Sequence, residues 1–537
     1  MSAAPTGTDA GRARRADRLL AGIERAGNKL PDPFVLFLIL FAAVAVASTL
    51  MAWADVTVRV PGSDEDTVIK GLFTGEGLAW FTTTLGENYL GFPPLATVLP
   101  ILLAVGVAEK SGLLAALIRR AFGSAPRWAL PYAVGLVGVV GSIMADAAFV
   151  IIPPLAALVF RAAGRHPVAG LLGGFAAAGA GYSTSLVVTS LDALFAGITT
   201  AVTETLPDPG APVNPLSNYF FNIASSVVLI LLAGFLIDKV LEPRLIRQGI
   251  PREESDPDDD GTGAPATTSG RETAPAAALD PHLSPLERRG VRWALLIGAL
   301  TAAAITAAVL VPDSPWRNED GGFLPRSPLL SSIVFVVFVL FIIPGLVYGR
   351  VTGSMPGARD IPRVMGASIK EMSGFLVLAF VLGQFIALFN WSGLGSWIAV
   401  TGASGLESIG LTGYPAILAF VALASLLNLF IISGSAMWTL MAAVFVPMFA
   451  LLGYEPAFVQ AAFRVGDSAT QVLTPLNPYM IVLLTMLRRY EPAAGLGTVI
   501  ARMLPFTVVF WLAWTAVLTV FYVLDLPLGP GNGIFIP

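Results

Sequence analysis

Apolar runs of roughly 17 to 25 residues recur from one end of the chain to the other, and each is long enough as an α-helix to cross a hydrocarbon layer about 30 Å thick. What lies between them cannot build an ordinary soluble globule. Hydrophobic residues make up 55% of the chain and charged residues 13%, against about 25% charged in soluble domains. The expectation is an all-α polytopic membrane protein embedded in a lipid bilayer. A formal net charge of −4 and dispersed arginines argue against a nucleic-acid partner. There is no Cys, and the two histidines, His166 and His282, do not suffice for a zinc centre, so disulfide, iron–sulfur and zinc chemistry fall away and no cofactor is expected.

Loop charge orients the spans, because Lys and Arg gather on the cytoplasmic side. Residues 1–33 carry Arg12, Arg14, Arg15, Arg18, Arg25 and Lys29 and are expected in the cytoplasm. The first transmembrane half, 34–238, then contains a crossing at 34–53, an acidic external loop at 54–89 and a return at 94–118 towards Arg119, Arg120 and Arg127. The stretch 128–162 has basic residues at both ends and a small, polar middle at 141–146, which suits the tip of a re-entrant hairpin. A crossing at 168–203 is interrupted by Gly179, Gly181, Ser183, Thr184 and Ser185, and 218–238 leads back inside. Segment 239–291, rich in Asp, Pro, Gly, Thr and Ser, reads as a disordered cytoplasmic linker. The second half, 292–526, offers crossings at 292–312, 329–348, 373–400 and 504–525, a second hairpin at 411–452 entered from outside, and an interrupted crossing at 457–487. The tail, 527–537, is expected outside. The sum is nine crossings and two hairpins in a cell inner or plasma membrane.

The two hairpin regions resemble each other in order. Ser111 Gly112 Leu113 recurs as Ser392 Gly393 Leu394, and the tip Gly141 Ser142 Ile143 Met144 as Gly434 Ser435 Ala436 Met437. Pro154 pairs with Pro447, and Gly164 and Pro167 with Gly453 and Pro456. GYSTSLVVTSLD at 181–192 aligns with GDSATQVLTPLN at 466–477. The charge pattern places the units in opposite orientations, and inverted repeats with discontinuous helices point to a secondary transporter with its site near the bilayer midplane. Unwound backbone at that depth must line a cavity or be packed in protein, where half-helix N-termini favour an anion and free carbonyls a cation.

Ionisable groups at membrane depth are costly enough to mark candidate sites. Asp467 falls within the second aligned break, and Arg464, three residues earlier, shares its helical side, so a structural pair and a functional pair are both open. For Asp192, ending the first break, a role in the site and a place near the outer interface are equally open. Asp146 is either a ligand or the cap of the second hairpin arm. Asn428 before the second tip and Asn477 closing the second break are cation ligands or partners of broken backbone, with the site role favoured for Asn428. Ser183, Thr184, Ser185, Ser468 and Thr470 are ligands or bond back to their own helices. Trp438 lies too deep for an interfacial belt and is placed against an aromatic substrate. Glu109, Lys110 and His166 read as structural.

The segments SGSAMW (433–438), GYEP (453–456), RVGDSATQVLTPLNPYM (464–480) and GNKLPDPFVLF (27–37) resemble the AbgT family of p-aminobenzoyl-glutamate transporters over nearly the whole chain. The resemblance implies a bowl-shaped homodimer of nine-span protomers with two helical hairpins, in a superfamily with sodium-coupled dicarboxylate carriers. It also implies uptake of p-aminobenzoyl-glutamate or export of p-aminobenzoate-like antimetabolites such as sulfonamides. Carried over by motif, the functional positions are Asp192, Ser435, Trp438, Pro456, Arg464, Asp467 and Pro475, with Asn428 and Asp467 near a cation site.

The working expectation is alternating access driven by a sodium or proton gradient. Asp467 is the coupling carboxylate, with Asn428, Asn477 and the carbonyls beside Gly434 and Gly466 as oxygen ligands. Arg464 holds a substrate carboxylate or Asp467, and Trp438 packs on the aryl ring of an aromatic carboxylate. The rival is a citrate- or succinate-type carrier. An enzyme is not expected, since neither His is at membrane depth to serve as the base of a nucleophile.

Overall fold

The computed structural model describes residues 31–59, 66–123, 125–203, 206, 210–252, 283–324, 327–431, 433–474 and 477–537. Proline starts and glycine stops cut the apolar runs into helices. Asp32 caps the first, α1 (Pro33–Trp53), by accepting the Phe34 N–H at 2.9 Å, with Pro33 in its first turn. A short antiparallel ribbon follows, β1 (Thr57–Arg59) against β2 (Asp66–Val68), with Val58 opposite Thr67. Helix α2 (Gly75–Leu90), capped by Thr74, corrects the expectation that 54–89 is all loop. Its Thr82 Thr83 Thr84 and Glu87 Asn88 break up the apolar signal, and Asn88 is held by Gln384 at 3.0 Å on a facing helix.

The repeated Ser-Gly-Leu motif does the same work twice. Gly112 (φ +90°) ends α3 (Pro93–Lys110) and turns the chain into the separate amphipathic α4 (Leu113–Gly123). In the second half Gly393 (φ +76°) ends α14 (Ser373–Trp391) before α15 (Leu394–Ser408). The crossings expected at 94–118 and 373–400 therefore stop at 110 and 391, because only glycine adopts that left-handed backbone without strain.

Between these lie α5 (Leu130–Val140), a 3-10 turn (Gly141–Met144), α6 (Ala147–Ala162), α7 (Pro167–Ala180) and α8 (Ser190–Thr203). Next, α9 (Tyr219–Phe235) runs through a π-helical turn (Leu236–Leu241) into α10 (Glu242–Arg247). Helices α11 (Pro285–Leu310), α12 (Ile333–Thr352) and α13 (Asp360–Glu371) connect the halves. The second half repeats the first: α16 (Tyr414–Leu427), α17 (Gly434–Leu451), α18 (Pro456–Thr470), α19 (Pro478–Leu487) and α20 (Leu496–Val523). The linker assigned to 239–291 is thus helical at both margins, where the π turn and the Ser284–Glu287 capping box extend the neighbouring helices. Its remainder, expected to be disordered, lies outside the described residues, as does most of the basic N-terminus.

Among the described residues eight helices are long and apolar enough to cross a membrane. All but Gly434–Leu451 coincide with an expected crossing. The two interrupted crossings are made of shorter pieces, α7 with α8 and α18 with α19, and neither is a continuous helix. The breaks span 181–189 and 471–477. That corrects the alignment of 181 with 466 by about one helical turn. Gly466 is inside α18, where it lets α16 approach: a Cβ there would lie 2.6 Å from Val421 O.

The halves interlock. Helix α8 packs on α17, and reciprocally α19 packs on α6. A Cβ on Gly179 at the end of α7 would meet Val472 of the second break at 2.1 Å, so the two breaks touch. The tail also folds back, with Ile534 O accepting Glu455 N–H at 2.9 Å and Leu528 O accepting Phe220 N–H at 2.9 Å.

Outside the apolar layer, the turn before α7 is tied to the end of α9. Arg165 bonds both Asp238 and Glu242, His166 N–H donates to Glu242 at 3.0 Å, and His166 Nε2 lies 3.1 Å from Ile250 O. Burial holds the His166 ring below its ordinary 6.5, against the bond from Ile250 O and the field of Glu242, while Arg252 and Arg502 push it the same way as burial. A ring kept neutral in the fold is charged first in the unfolded chain as pH drops, so its contribution is complete above 6.5 and lost below it. The melting temperature in detergent should fall between about pH 7 and pH 5, and His166→Gln should flatten that part of the profile.

Candidate functional site

Each break would leave backbone groups unmatched at membrane depth, at several kcal/mol apiece in lipid. Side chains meet part of that need, those of Ser468 and Arg464 reaching the first break from the other half. Ser183 N–H donates to Ser468 Oγ at 3.1 Å, Ser183 O accepts Arg464 Nη1 at 2.7 Å, and the Ser183 and Ser468 hydroxyls bond each other. Leu186 O accepts the Tyr219 hydroxyl at 3.2 Å. In the second break Thr474 Oγ1 donates to Asn428 O at 2.9 Å.

The centre of this joint is an ion pair. Arg464 Nη1 lies 2.8 Å from Asp192 Oδ1, both side chains being almost wholly buried. Asp192 also accepts Thr189 N–H at 2.7 Å, Thr189 Oγ1 at 2.8 Å and Asn222 Nδ2 at 3.1 Å. Arg464 Nε donates to Asn218 Oδ1 at 3.1 Å, and its guanidinium lies 5.2 Å from the centre of the Phe195 ring. The sequence offered Asp467 or a substrate as the partner of Arg464; the structure pairs it with Asp192, across 272 positions of chain rather than one helical turn.

Trp438 is fully buried, 4.6 Å from the Phe463 ring centre, and its indole N–H reaches Thr199 Oγ1 at 3.1 Å. Through Phe195 and Thr199 it joins α17 to the helix that carries Asp192. Ser435 sits half-buried at the start of α17, its hydroxyl 3.0 Å from Ser433 Oγ. Gly434 lies against Tyr182, whose hydroxyl would be 3.0 Å from a Cβ there. Thr184 Oγ1 bonds Asn222 O at 3.0 Å, and Ser185 Oγ accepts Val187 N–H at 3.4 Å.

Asp467 is not in the break but in the last turn of α18, wholly buried, and neither carboxylate oxygen has a hydrogen-bond partner. Asn428 donates to Asp467 O and, at 2.9 Å, to Thr470 Oγ1, leaving its own Oδ1 without a donor. Gln471 Oε1, one turn beyond Asp467, is likewise unmatched. Buried oxygens without donors, with a full carboxylate among them, are the ligand type of a hard monovalent cation or a carboxyl that takes up a proton.

Other expected residues stand apart. Asn477 caps α19, accepting Tyr479 N–H at 3.0 Å. Pro456 starts α18, eight residues before Arg464 and so about 12 Å along the helix. Pro475 lies outside the described residues. Asp146 begins α6 without a side-chain capping bond and lines a cavity with Tyr182 and the end of α3.

A sequence model of the "AbgT putative transporter family" matches residues 18–536. The chain belongs to the AbgT family. It is 36% identical over 532 residues to the p-aminobenzoyl-glutamate transport protein of Escherichia coli (strain K12), covering 99% of this chain and 98% of that one. The solved YdaH transporter of Alcanivorax borkumensis superimposes with a TM-score of 0.83 at 36% identity, covering 93% of this chain and all of that one. MtrF of Neisseria gonorrhoeae, described with a class of antimetabolite efflux pumps, gives 0.84 at 35% identity over 96% of this chain and 100% of its own. This AbgT protein is therefore a multi-pass membrane transporter.

Sequence reasoning missed Asn218, Asn222, Thr199, Tyr182 and Gln460, whose buried amide lies 2.7 Å from Thr199 Oγ1 and 2.8 Å from Asn218 Oδ1. Asn218 and Asn222 carried a usable signal, two amides one turn apart opening an apolar helix. Removing one partner of a buried pair strands the other charge. Asp192→Ala in this AbgT protein should cost about 3–5 kcal/mol. Asp192→Asn with Arg464→Gln should recover most of that loss, as read by denaturation in detergent.

Proposed function

We propose that this transporter moves p-aminobenzoyl-glutamate or related p-aminobenzoate-like compounds, sulfonamide-type antimetabolites included, by cation-coupled alternating access in a homodimer. The family and the Escherichia coli relative support the substrate class, and the Neisseria gonorrhoeae relative supports the antimetabolite class. The observation that carries coupling is the buried Asp467 carboxylate with both oxygens unmatched, on a residue whose backbone O accepts Asn428, itself left with an unmatched Oδ1. Such a charge costs several kcal/mol unless a cation or proton joins it.

In this reading α5 with α6 and α16 with α17 are re-entrant arms that meet the two breaks. The short α5, 11 residues or about 16 Å, supports this for the first. A substrate carboxylate competes with Asp192 for Arg464, while the aryl group takes up apolar surface near Trp438 and Phe195. Sodium or a proton at Asp467 and Asn428 neutralises the carboxylate and joins α16 to α18. Binding thereby biases one arrangement of the halves over the other through differential contacts.

Reconstituted protein should show saturable flux of p-aminobenzoyl-glutamate that depends on an imposed sodium or pH gradient. Asp467→Ala should abolish the gradient dependence and lower flux at least tenfold, and Asp467→Asn should discriminate between the ions by keeping oxygen ligation without charge. Flux indifferent to both gradients, with Asp467→Ala unchanged, would remove the coupling role.

A further inference from the structure

The first turns of α11 form a basic groove that the transport site does not use. A cavity of about 670 Å³ is lined by Pro285, Arg288, Arg289, Arg292, Trp293 and Leu296. Positions 289, 292, 293 and 296 fall on one helical face. Arg288 is fixed by its Nε bond to Leu283 O at 3.0 Å. Among the described residues no ion pair or hydrogen bond engages the guanidinium groups of Arg289 or Arg292. The acidic residue of this turn, Glu287, is turned away and held by Arg119 at 2.5 Å. Three cations therefore share one wall with no acid among the lining residues.

The groove continues into an apolar track. Trp293 is 44% exposed and Leu296 49%, and Leu300, one turn further along the same face, 56%. The arginines lie at the end of a helix that is apolar enough to span the membrane, on the side marked as cytoplasmic by its own charge. Tryptophan at that level belongs to the headgroup region, and leucines beyond it to the acyl region. A free inorganic anion would use the arginines and leave the Trp293–Leu300 track unexplained. We infer that this groove binds an anionic glycerophospholipid of the surrounding bilayer, its phosphodiester on Arg289 and Arg292 and one acyl chain along Trp293, Leu296 and Leu300. Basic pockets beside spanning helices recognise such head groups by charge complementarity.

Native mass spectrometry of the full chain tests this, using equimolar phosphatidylglycerol and phosphatidylethanolamine in detergent. The wild type should retain phosphatidylglycerol severalfold over phosphatidylethanolamine. Arg289→Ala with Arg292→Ala should abolish the preference, Lys at both positions should restore most of it, and Arg247→Ala at the exposed end of α10 should leave it intact. Millimolar inorganic phosphate should not displace the lipid. Equal retention of the two lipids, an equal loss in Arg247→Ala, or displacement by phosphate would overturn the inference. So would a preference that appears only after deletion of residues 253–282, since the acidic stretch of the chain itself would then fill the groove. A shift of the Ala variant from dimer to monomer without change in lipid retention would assign the face to a second copy and equally reject it.

Discussion

An interrupted helix can exist in lipid only if its freed backbone groups find partners in protein, and around the first break that need is met at the Asp192–Arg464 pair. Arg464 takes three duties at once: it neutralises Asp192, it satisfies Ser183 O in the first break, and it lies over Phe195. A lysine, a compact point charge, cannot make this fork of contacts. Asn218 Oδ1 accepts Arg464 Nε, and Asn222 Nδ2 donates to Asp192. A buried pair compensates its desolvation only when such extra bonds are present. Here they come from α9, so that three helices are fixed by one guanidinium.

The contrast with Asp467 is chemical rather than positional. Both carboxylates are buried, both sit at the end of a helix next to a break, and they are separated through Arg464 by a single turn of α18. Asp192 receives donors from Thr189, Asn222 and Arg464, which makes it a completed structural group in this arrangement. Asp467 receives none. The chain thus satisfies one acid within itself and leaves its neighbour without a donor, the asymmetry that the proposed cation coupling would use.

Much of the architecture could be read from the sequence, because lipid imposes length and charge rules that leave direct traces. The Ser-Gly-Leu pair, the Gly164 and Gly453 turns and the two interrupted crossings follow from residues that no continuous helix would carry. The readings that shifted did so where tertiary contact outranked local pattern. Gly466 looked like a break and is a packing glycine against Val421. Asp467 looked like the natural i, i+3 partner of Arg464, but the guanidinium reaches across the repeat to Asp192. Trp438 looked like a substrate platform and, in this arrangement, has its indole N–H on Thr199 and its ring on Phe463. None of these long-range partners leaves a periodicity that one sequence can display.

That Trp438, Phe195, Arg464 and Asp192 form one packed line has a consequence for how transport is gated. Trp438 belongs to α17, Phe195 and Asp192 to α8, and Arg464 to α18. A movement that opens α17 must break the indole bond to Thr199 and uncover Phe195, which forms one face of the Arg464 environment. Admitting water there weakens the Asp192–Arg464 attraction, since Coulomb energies fall steeply with local dielectric. In the proposed mechanism, an anionic substrate that kept Arg464 paired would offset that loss in the open arrangement. A cation at Asp467, on the same helix and one turn away, would lower the competing negative charge in that mechanism. Substrate and cation would then favour the same arrangement without touching, which is coupling through differential stabilisation of two packed states.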